Sequence, residues 1–562
     1  METRRRESAR LADWNQFNNN TCVMISLNIA MRLTKMAQHC PELPAIAEPD
    51  HRGHYKTITF AELDADTNRI AAALLEYGIL PGMKLALFVR YGIDFISLVF
   101  ALCKAGITLI LIDPGMGIPR MLRCLSEVEP DGFVAVPSVH WARLLLQHRF
   151  PKAKYHLTVG RRWFWGGLSL ETIRNNPANP HNNFKIPETA PDTLAAIIFT
   201  SGSTGLPKGV AFTHRIFDTQ AEEISKRYHI QPGEIDLACF PFFGLFDAAM
   251  GVTAVIPDMN PTRPAQVNPA KIVKAANDWK ITQSFASPAL WNRVADYCAK
   301  TGKRLETLRR AVSAGAPVSA AILAKLKRCI HPEGEIFTPY GATEALPTAS
   351  ISASEVLGET AKKTEQGAGV CVGTRFSAVS WKVIEITDAP IARLEDAREL
   401  PVGETGEIVV TGPQVTTHYV NRPEANTAAK MIDNENRIWH RMGDVGYLDR
   451  QDRFWFCGRK AHRVVTPEKT LFTIPCEAIF NQHPKIFRSA LAGKIPRMFV
   501  EPFPEFFPKN KTEKQILIEE LLELAQKNPL TQSIKEIRVM RHFPVDVRHN
   551  VKINRELLSV LR

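Results

Sequence analysis

The chain has 562 residues, too many for one hydrophobic core and enough for two or three domains. Apolar residues make up 45% and charged residues 23%, which excludes a chain disordered throughout. The net charge of +12 directs attention to anionic substrates or an acidic lipid surface, with peripheral contact the most a membrane would receive. No basic run with interleaved aromatics stands out, so nucleic acid is not expected as a partner. Ten cysteines occur without a Cys-x-x-Cys pair, which argues against a zinc ribbon or a disulfide scaffold and points to reduced thiols in the cytoplasm. The opening Met1-Glu2-Thr3-Arg4-Arg5-Arg6 leads into no apolar stretch, so no secretion signal is expected.

In chain order, residues 1–25 read as a polar lead. Ile70, Ala73 and Leu74 recur at helical spacing and predict a helix from about Asp64 to Tyr77, and Lys84–Val89 reads as a buried strand. Between Ile93 and Ile112 the apolar run is long enough to suggest a membrane span. Lys104 and Gly106 interrupt it, so a buried helix over about Phe95–Cys103 followed by a strand over Ile107–Ile112 fits better. Residues 160–192, rich in Trp, Asn and Pro, read as a surface excursion. Alternation of strands and helices predicts parallel sheets covered by helices.

A strand over Leu194–Phe199 then leads into Thr200-Ser201-Gly202-Ser203-Thr204-Gly205-Leu206-Pro207-Lys208-Gly209, with a helix expected from about His214. Glycines let backbone N–H groups turn onto an anion, hydroxyls add donors and Lys208 adds a point charge, so the stretch suits a phosphate loop. It is not a Walker A loop, because Pro207 precedes the lysine and Gly209 follows it. Nor is it a nucleophile elbow, since no glycine lies two residues before Ser203. Farther on, Thr338-Pro339-Tyr340-Gly341-Ala342-Thr343-Glu344 combines a ring able to stack on a base with a threonine for phosphate and a carboxylate for a hard cation. Cys457, His462, Cys476 and His483 have no metal-ligand spacing and are taken as structural.

At the phosphate loop and at Tyr340–Glu344 the chain resembles the adenylate-forming enzymes: acyl-CoA synthetases, peptide-synthetase adenylation domains and luciferases. The resemblance runs from about residue 55 to 558. It implies an α/β fold, with a large N-terminal domain (26–457) of helix-covered, mostly parallel sheets and a small mobile α+β C-terminal domain (458–562). It implies ATP and Mg²⁺ as cofactors, with Thr200, Ser201, Gly202, Ser203, Thr204, Gly205 and Lys208 on phosphates. It also implies that Gly315, Ala316, Pro317, Tyr340 and Gly341 lie against adenine, and that Thr343 reaches a phosphate. Glu344 and Thr204 would hold the metal, Asp444 the ribose hydroxyls, and Arg459 the ribose or a phosphate, with Met442 where the family has threonine.

Phe242, Phe243 and Phe246 would line the acyl pocket, and Lys552, in Lys552-Ile553-Asn554-Arg555-Glu556-Leu557-Leu558, would be the mobile catalytic cation beside Glu344, Thr343 and Lys208. Ala461 stands at the family's hinge position, where Asp or Lys is usual.

Asp258-Met259, Tyr340-Gly341-Ala342-Thr343-Glu344-Ala345-Leu346-Pro347, Cys457-Gly458-Arg459-Lys460-Ala461-His462-Arg463-Val464 and Val545-Asp546-Val547-Arg548-His549-Asn550 look like the β-lactone synthetases of bacterial long-chain olefin biosynthesis. That resemblance implies ATP-driven closure of a long-chain 2-alkyl-3-hydroxy fatty acid to a β-lactone. It also implies pathway partners, a β-lactone decarboxylase and a reductase. Independently, the stretch Val464–Pro475 lacks the glycine that gives pantetheine clearance in CoA ligases. An internal hydroxyl needs no thiol tunnel. An acyl-CoA or acyl-carrier-protein ligase is the alternative, and an inactive scaffold a third, disfavoured by the retention of Lys208, Glu344, Asp444 and Lys552. His462 and His549 are candidates, by residue type, for the base that takes the hydroxyl proton.

Overall fold

The computed structural model describes residues 26–176, 184–200, 207–545 and 553–560. The lead over 1–25, the phosphate-loop residues Ser201 to Gly205, His549 and Lys552 lie outside the described residues.

Two large sheets carry most of the chain. The first has seven strands in the order Leu168–Ser169, Tyr155–Thr158, Gly132–Ala135, Lys84–Phe88, Thr108–Leu111, Leu194–Phe199, Gly209–Thr213. All neighbours are parallel except the last pair, the hairpin that flanks the phosphate loop. The second sheet has fourteen strands among the described residues. Its half built from Pro44–Pro49, Thr253–Val255, Ile235–Ala238, Gln283–Ala286, Arg310–Ser313 and Glu335–Ala342 is parallel. The half built from Ala345–Ser352 through Arg453–Arg459 is antiparallel. A smaller C-terminal domain has its own three-stranded sheet (Ile486–Ala492, Arg497–Pro502, Glu536–Val539) and its own core of Val464, Phe480, Leu491, Val500 and Leu521.

Local chemistry accounts for the element ends. The helix expected from Asp64 begins at Phe60, because Thr59 and Glu62 form a reciprocal capping box that satisfies two orphan donors. The apolar run folds as the helix Ile93–Lys104 and the strand Thr108–Leu111. Among the described residues no helix is long and apolar enough to cross a membrane. Lys104 is fully buried, and its ammonium meets Asp64 Oδ1 at 2.6 Å and Asn68 Oδ1 at 2.5 Å. Burial pulls its pKa down and the Asp64 carboxylate pushes it back up. Removing one partner strands the other charge, so Asp64→Ala should destabilise the fold by about 3–5 kcal/mol in urea titrations. An unchanged midpoint would mean that Asn68 and the Asp64 backbone carbonyl suffice.

Candidate active site

The flanks of the phosphate loop are held by its hairpin. Thr200 N donates to Lys208 O at 3.1 Å, and Lys208 N to Thr200 Oγ1 at 3.3 Å. A second segment locks onto the same strand: Val210 bridges Tyr419, and Val420 N donates to Gly209 O at 2.8 Å. Tyr419 is buried there, and Lys208 Nζ lies 4.8 Å from the centre of its ring. Lys430 Nζ lies 5.8 Å from the same ring.

Thr343 and Glu344 form the two-residue turn between Glu335–Ala342 and Ala345–Ser352, where Ala342 pairs with Ala345. The Glu344 carbonyl accepts from Thr416 N at 2.9 Å and Thr416 Oγ1 at 3.1 Å. Its carboxylate accepts from Tyr419 Oη at 2.7 Å through Oε1. Among the described residues no donor reaches Oε2. Magnesium prefers carboxylate oxygen plus substrate phosphates over a cage of protein ligands, so a single oriented carboxylate facing the phosphate hairpin fits such an ion. Thr204, expected to join it, lies outside the described residues. Tyr419→Phe should lower pyrophosphate release about tenfold at limiting Mg²⁺ and less at saturation, since a hydrogen bond to a charged group is worth about 1.5–3 kcal/mol. Equal loss at all Mg²⁺ concentrations would separate Tyr419 from the metal carboxylate.

Asp444, on the strand Ile438–Leu448, is 3% exposed. Its Oδ2 accepts from Tyr340 Oη at 2.5 Å, and Arg459 Nη1 lies 2.9 Å from Oδ1. The Arg459 contact is close but not aligned as a hydrogen bond, so Oδ1 keeps accepting capacity for a sugar hydroxyl. Burial pushes the Asp444 carboxyl up, while Arg459 and the Tyr340 hydroxyl hold it down. Arg459 also donates to Met442 O at 3.2 Å, so the residue standing in for threonine serves through its backbone. Gly341 lies so near Ala345 O that a Cβ would come within 2.5 Å of it. Gly315, in the turn after Arg310–Ser313, has φ +91°, and Ala316 and Pro317 continue that turn.

Besides Tyr419, two more participants were not expected from the sequence. His440 is 3% exposed, and its imidazole is held well below the usual range by burial and by Lys430, Lys208 and Arg459. Lys430 is pulled down to about 7 by burial, with the Glu344 carboxylate opposing. Lys208, Arg459 and the Lys430 amine therefore face Glu344 and Asp444, and an incoming polyphosphate would hold Lys430 in its charged form.

The three phenylalanines lie on the helix Pro241–Met250 and divide between its faces. Phe242 packs on the core beside the first sheet, whereas Phe243 and Phe246 join the cluster that includes Tyr340. Phe243 also stacks on Phe285 at 3.8 Å between ring centres. Only Phe243 and Phe246 thus border the Tyr340 side.

The AMP-binding enzyme family profile matches residues 33–420. The chain belongs to the AMP-binding enzyme family. It is 42% identical over 551 residues to the olefin beta-lactone synthetase of Xanthomonas campestris pv. campestris, covering 95% of this chain and 97% of that protein. It is 40% identical over 550 residues to the olefin beta-lactone synthetase of Stenotrophomonas maltophilia, with the same coverage. Among solved structures, the amide bond synthetase McbA from Marinactinospora thermotolerans superposes with a TM-score of 0.76 at 20% identity, covering 94% of this chain and 98% of that one. That likeness shows the fold. Like other AMP-binding enzymes, this chain is a ligase of the adenylate-forming type.

Around the domain junction, Gly458 has φ +133° and packs on Thr473, whose Oγ1 would lie 2.3 Å from a Cβ there. Lys460 Nζ reaches Glu407 Oε2 at 2.9 Å and Thr387 O at 3.0 Å, while Ala461 is exposed. His462 is pulled down to about 4 by burial and by Arg555 and Arg459, which makes it a weak base. Cys457 and Cys476 are buried, and His483 lies 3.4 Å from Glu520.

Proposed function

We propose that this AMP-binding enzyme uses ATP to activate a long-chain 2-alkyl-3-hydroxy fatty acid as an acyl-adenylate, releasing pyrophosphate, and then closes the β-lactone with loss of AMP. The observation that carries the reading is near-full-length identity of 40–42% to two olefin beta-lactone synthetases. In the first step a carboxylate oxygen attacks the α-phosphorus and the bond to pyrophosphate breaks. In the second the 3-hydroxyl oxygen attacks the acyl carbon, the bond to AMP breaks, and the hydroxyl proton passes to a base. Ring closure is intramolecular, so orientation replaces a second substrate.

Lys208 and Lys430 would meet the phosphates, Tyr340 and the Gly315 turn the adenine, and Asp444 with Arg459 the ribose. Glu344, with Thr204, would hold the magnesium ion. When bound, that ion neutralises charge on the departing pyrophosphate. The small domain beyond Lys460 would turn to bring Lys552 to the carboxylate. Phe243 and Phe246 would face the acyl chain. A cytoplasmic location and handover to a decarboxylase of the same pathway belong to this reading.

The stretch after the junction supports an internal nucleophile. Val464–Val465 and Thr470–Leu471 close a tight ribbon, with Lys469 N donating to Thr466 Oγ1 at 3.1 Å and no glycine to admit a pantetheine arm. Mass spectrometry of products from ATP and the 3-hydroxy acid is expected to show AMP and β-lactone without CoA. The 3-deoxy acid should be adenylated but not turned over. Preferential formation of acyl-CoA when both routes are open would sink the lactone reading and favour a ligase.

A further inference from the structure

The excursion before the phosphate loop forms a surface that adenylation does not use. Between Asp131 and Glu171 the sequence contains no acidic residue, yet it carries Arg143, Arg149, Lys152, Lys154, Arg161 and Arg162. Within it, Arg161-Arg162-Trp163-Phe164-Trp165 is a short basic and aromatic run that the whole-chain charge argument passes over. It folds against the helix Pro137–Leu145 as a cluster of rings. Trp141 meets Phe164 at 5.2 Å and Trp163 at 6.1 Å, and Trp165 lies beneath, stacked on His140 at 5.6 Å. Arg162 ties the loop down by donating to Gly167 O.

The buried rings explain themselves as core, but the outer ones do not. Phe164 is 70% exposed, Trp163 50%, Trp141 41% and Leu145, one helical turn beyond Trp141, 77%. Four large apolar side chains in water on one rim are unusual for a surface with no partner. Around them Arg149, Lys154 and Arg161 are exposed, while Lys152 is the basic residue seen paired, with Glu129 at 2.7 Å.

The rim adjoins the strand Tyr155–Thr158 and the edge strand Leu168–Ser169, at the opposite edge of the seven-stranded sheet from the phosphate-loop hairpin. An occupant there leaves the nucleotide side free.

We propose that this rim docks on an anionic phospholipid surface. Trp141, Trp163, Phe164 and Leu145 enter the interfacial layer, and Arg149, Lys154 and Arg161 meet the headgroup phosphates. Tryptophan and phenylalanine flanked by cations are the side chains that partition into that layer. The absence of acids over thirty-nine residues removes the like-charge repulsion that would oppose it. Single-stranded nucleic acid also takes cations and rings, but it needs ring faces set out for successive bases. Here Trp141 packs edge to face on Trp163 and Phe164, and one face of Trp163 is taken up by stacking on Trp165.

Co-sedimentation of the full-length enzyme with phosphatidylglycerol–phosphatidylcholine vesicles, and with phosphatidylcholine vesicles alone, tests the proposal. The wild-type enzyme is expected to bind the anionic vesicles at least about tenfold more tightly and to be released by about 0.5 M salt, which shortens the screening length. The paired variant Trp163→Ala, Phe164→Ala should lose at least about tenfold in binding. The charge reversal Arg161→Glu, at an exposed position, should do the same and keeps the test open if the paired variant fails to fold. Both should retain pyrophosphate exchange with a short water-soluble acid. Equal binding to both vesicle types, equal binding by all variants, or no binding would overturn the proposal. So would a single-stranded oligonucleotide displacing the vesicles, or a dimer in lipid-free sedimentation that the paired variant dissociates.

Discussion

Glu344→Ala is expected to abolish magnesium-dependent pyrophosphate release, with a loss of about 10²–10³-fold or more, while the protein stays folded. The fold should survive because Glu344 sits in a two-residue turn, half-buried, and is fixed through its backbone carbonyl by Thr416. Alanine keeps that carbonyl and removes only the carboxylate that Tyr419 orients. The site would then hold Lys208, Lys430 and Arg459 without the group proposed to carry the ion, so added magnesium should not restore the rate. Near-normal release by a folded Glu344→Ala enzyme would take this residue out of the site.

Lys552→Ala should slow acyl-adenylate formation by about 10²–10³-fold in single turnover and leave ATP binding largely intact, since a preorganised charge-stabilising donor is worth about that much. Lys552 lies outside the described residues, but both flanks of its segment are anchored in the small domain. Val545 bridges Ile553, Asn554 N donates to Pro544 O at 2.8 Å, and Arg555 Nη2 meets both oxygens of the buried Glu477 at 2.6 and 2.7 Å. The groups proposed to meet the nucleotide all precede Ala461, which is why binding and chemistry should separate. A loss below tenfold would mean that another cation does the work, and Lys430 would be the next to test.

The sequence made the strands and the motif positions legible, because burial on both faces writes continuous apolar runs and a phosphate loop needs a dense set of glycines and hydroxyls. Leu194–Phe199 and the helix from His214 fell where expected. The start of the helix at Phe60 was also written in the text, as Thr59-x-x-Glu62, but apolar periodicity alone sets it four residues late. Lys104 read correctly as an interruption of the apolar run. Its partner Asp64, forty residues upstream, is set by the packing of two helices and leaves no local mark.

The same reason hid Tyr419, Lys430 and His440. Tyr419 reaches Glu344 and the phosphate hairpin because its segment bridges Val210. Its flank Val420-Asn421-Arg422-Pro423 reads as an ordinary turn. Lys430 and His440 are direct cross-strand partners in an antiparallel pair, a register that no spacing in the chain reveals. For the phenylalanines, helical spacing shows a shared patch but not which neighbour each side chain meets.

The lysine at 460 sets where the small domain could begin to turn. Tied to Glu407 and to the Thr387 carbonyl, it makes the backbone up to that point part of the large body. The next residue, Ala461, offers only an exposed methyl, and turning about it would break the bonds that Arg463 N at 3.3 Å and Arg463 Nη1 at 2.7 Å donate to Lys460 O. Across the junction the buried Thr473 packs on Gly458, and the side-chain polar contacts are Arg463 with the largely exposed Asp388 at 2.6 Å and Gln482 donating to the Glu365 carbonyl. Polar contacts of that kind are worth about 1 kcal/mol or less apiece. Turning would therefore work against the Thr473 packing and the Arg463–Lys460 bonds, and a ligand would shift the domain orientation only as far as it binds another orientation better.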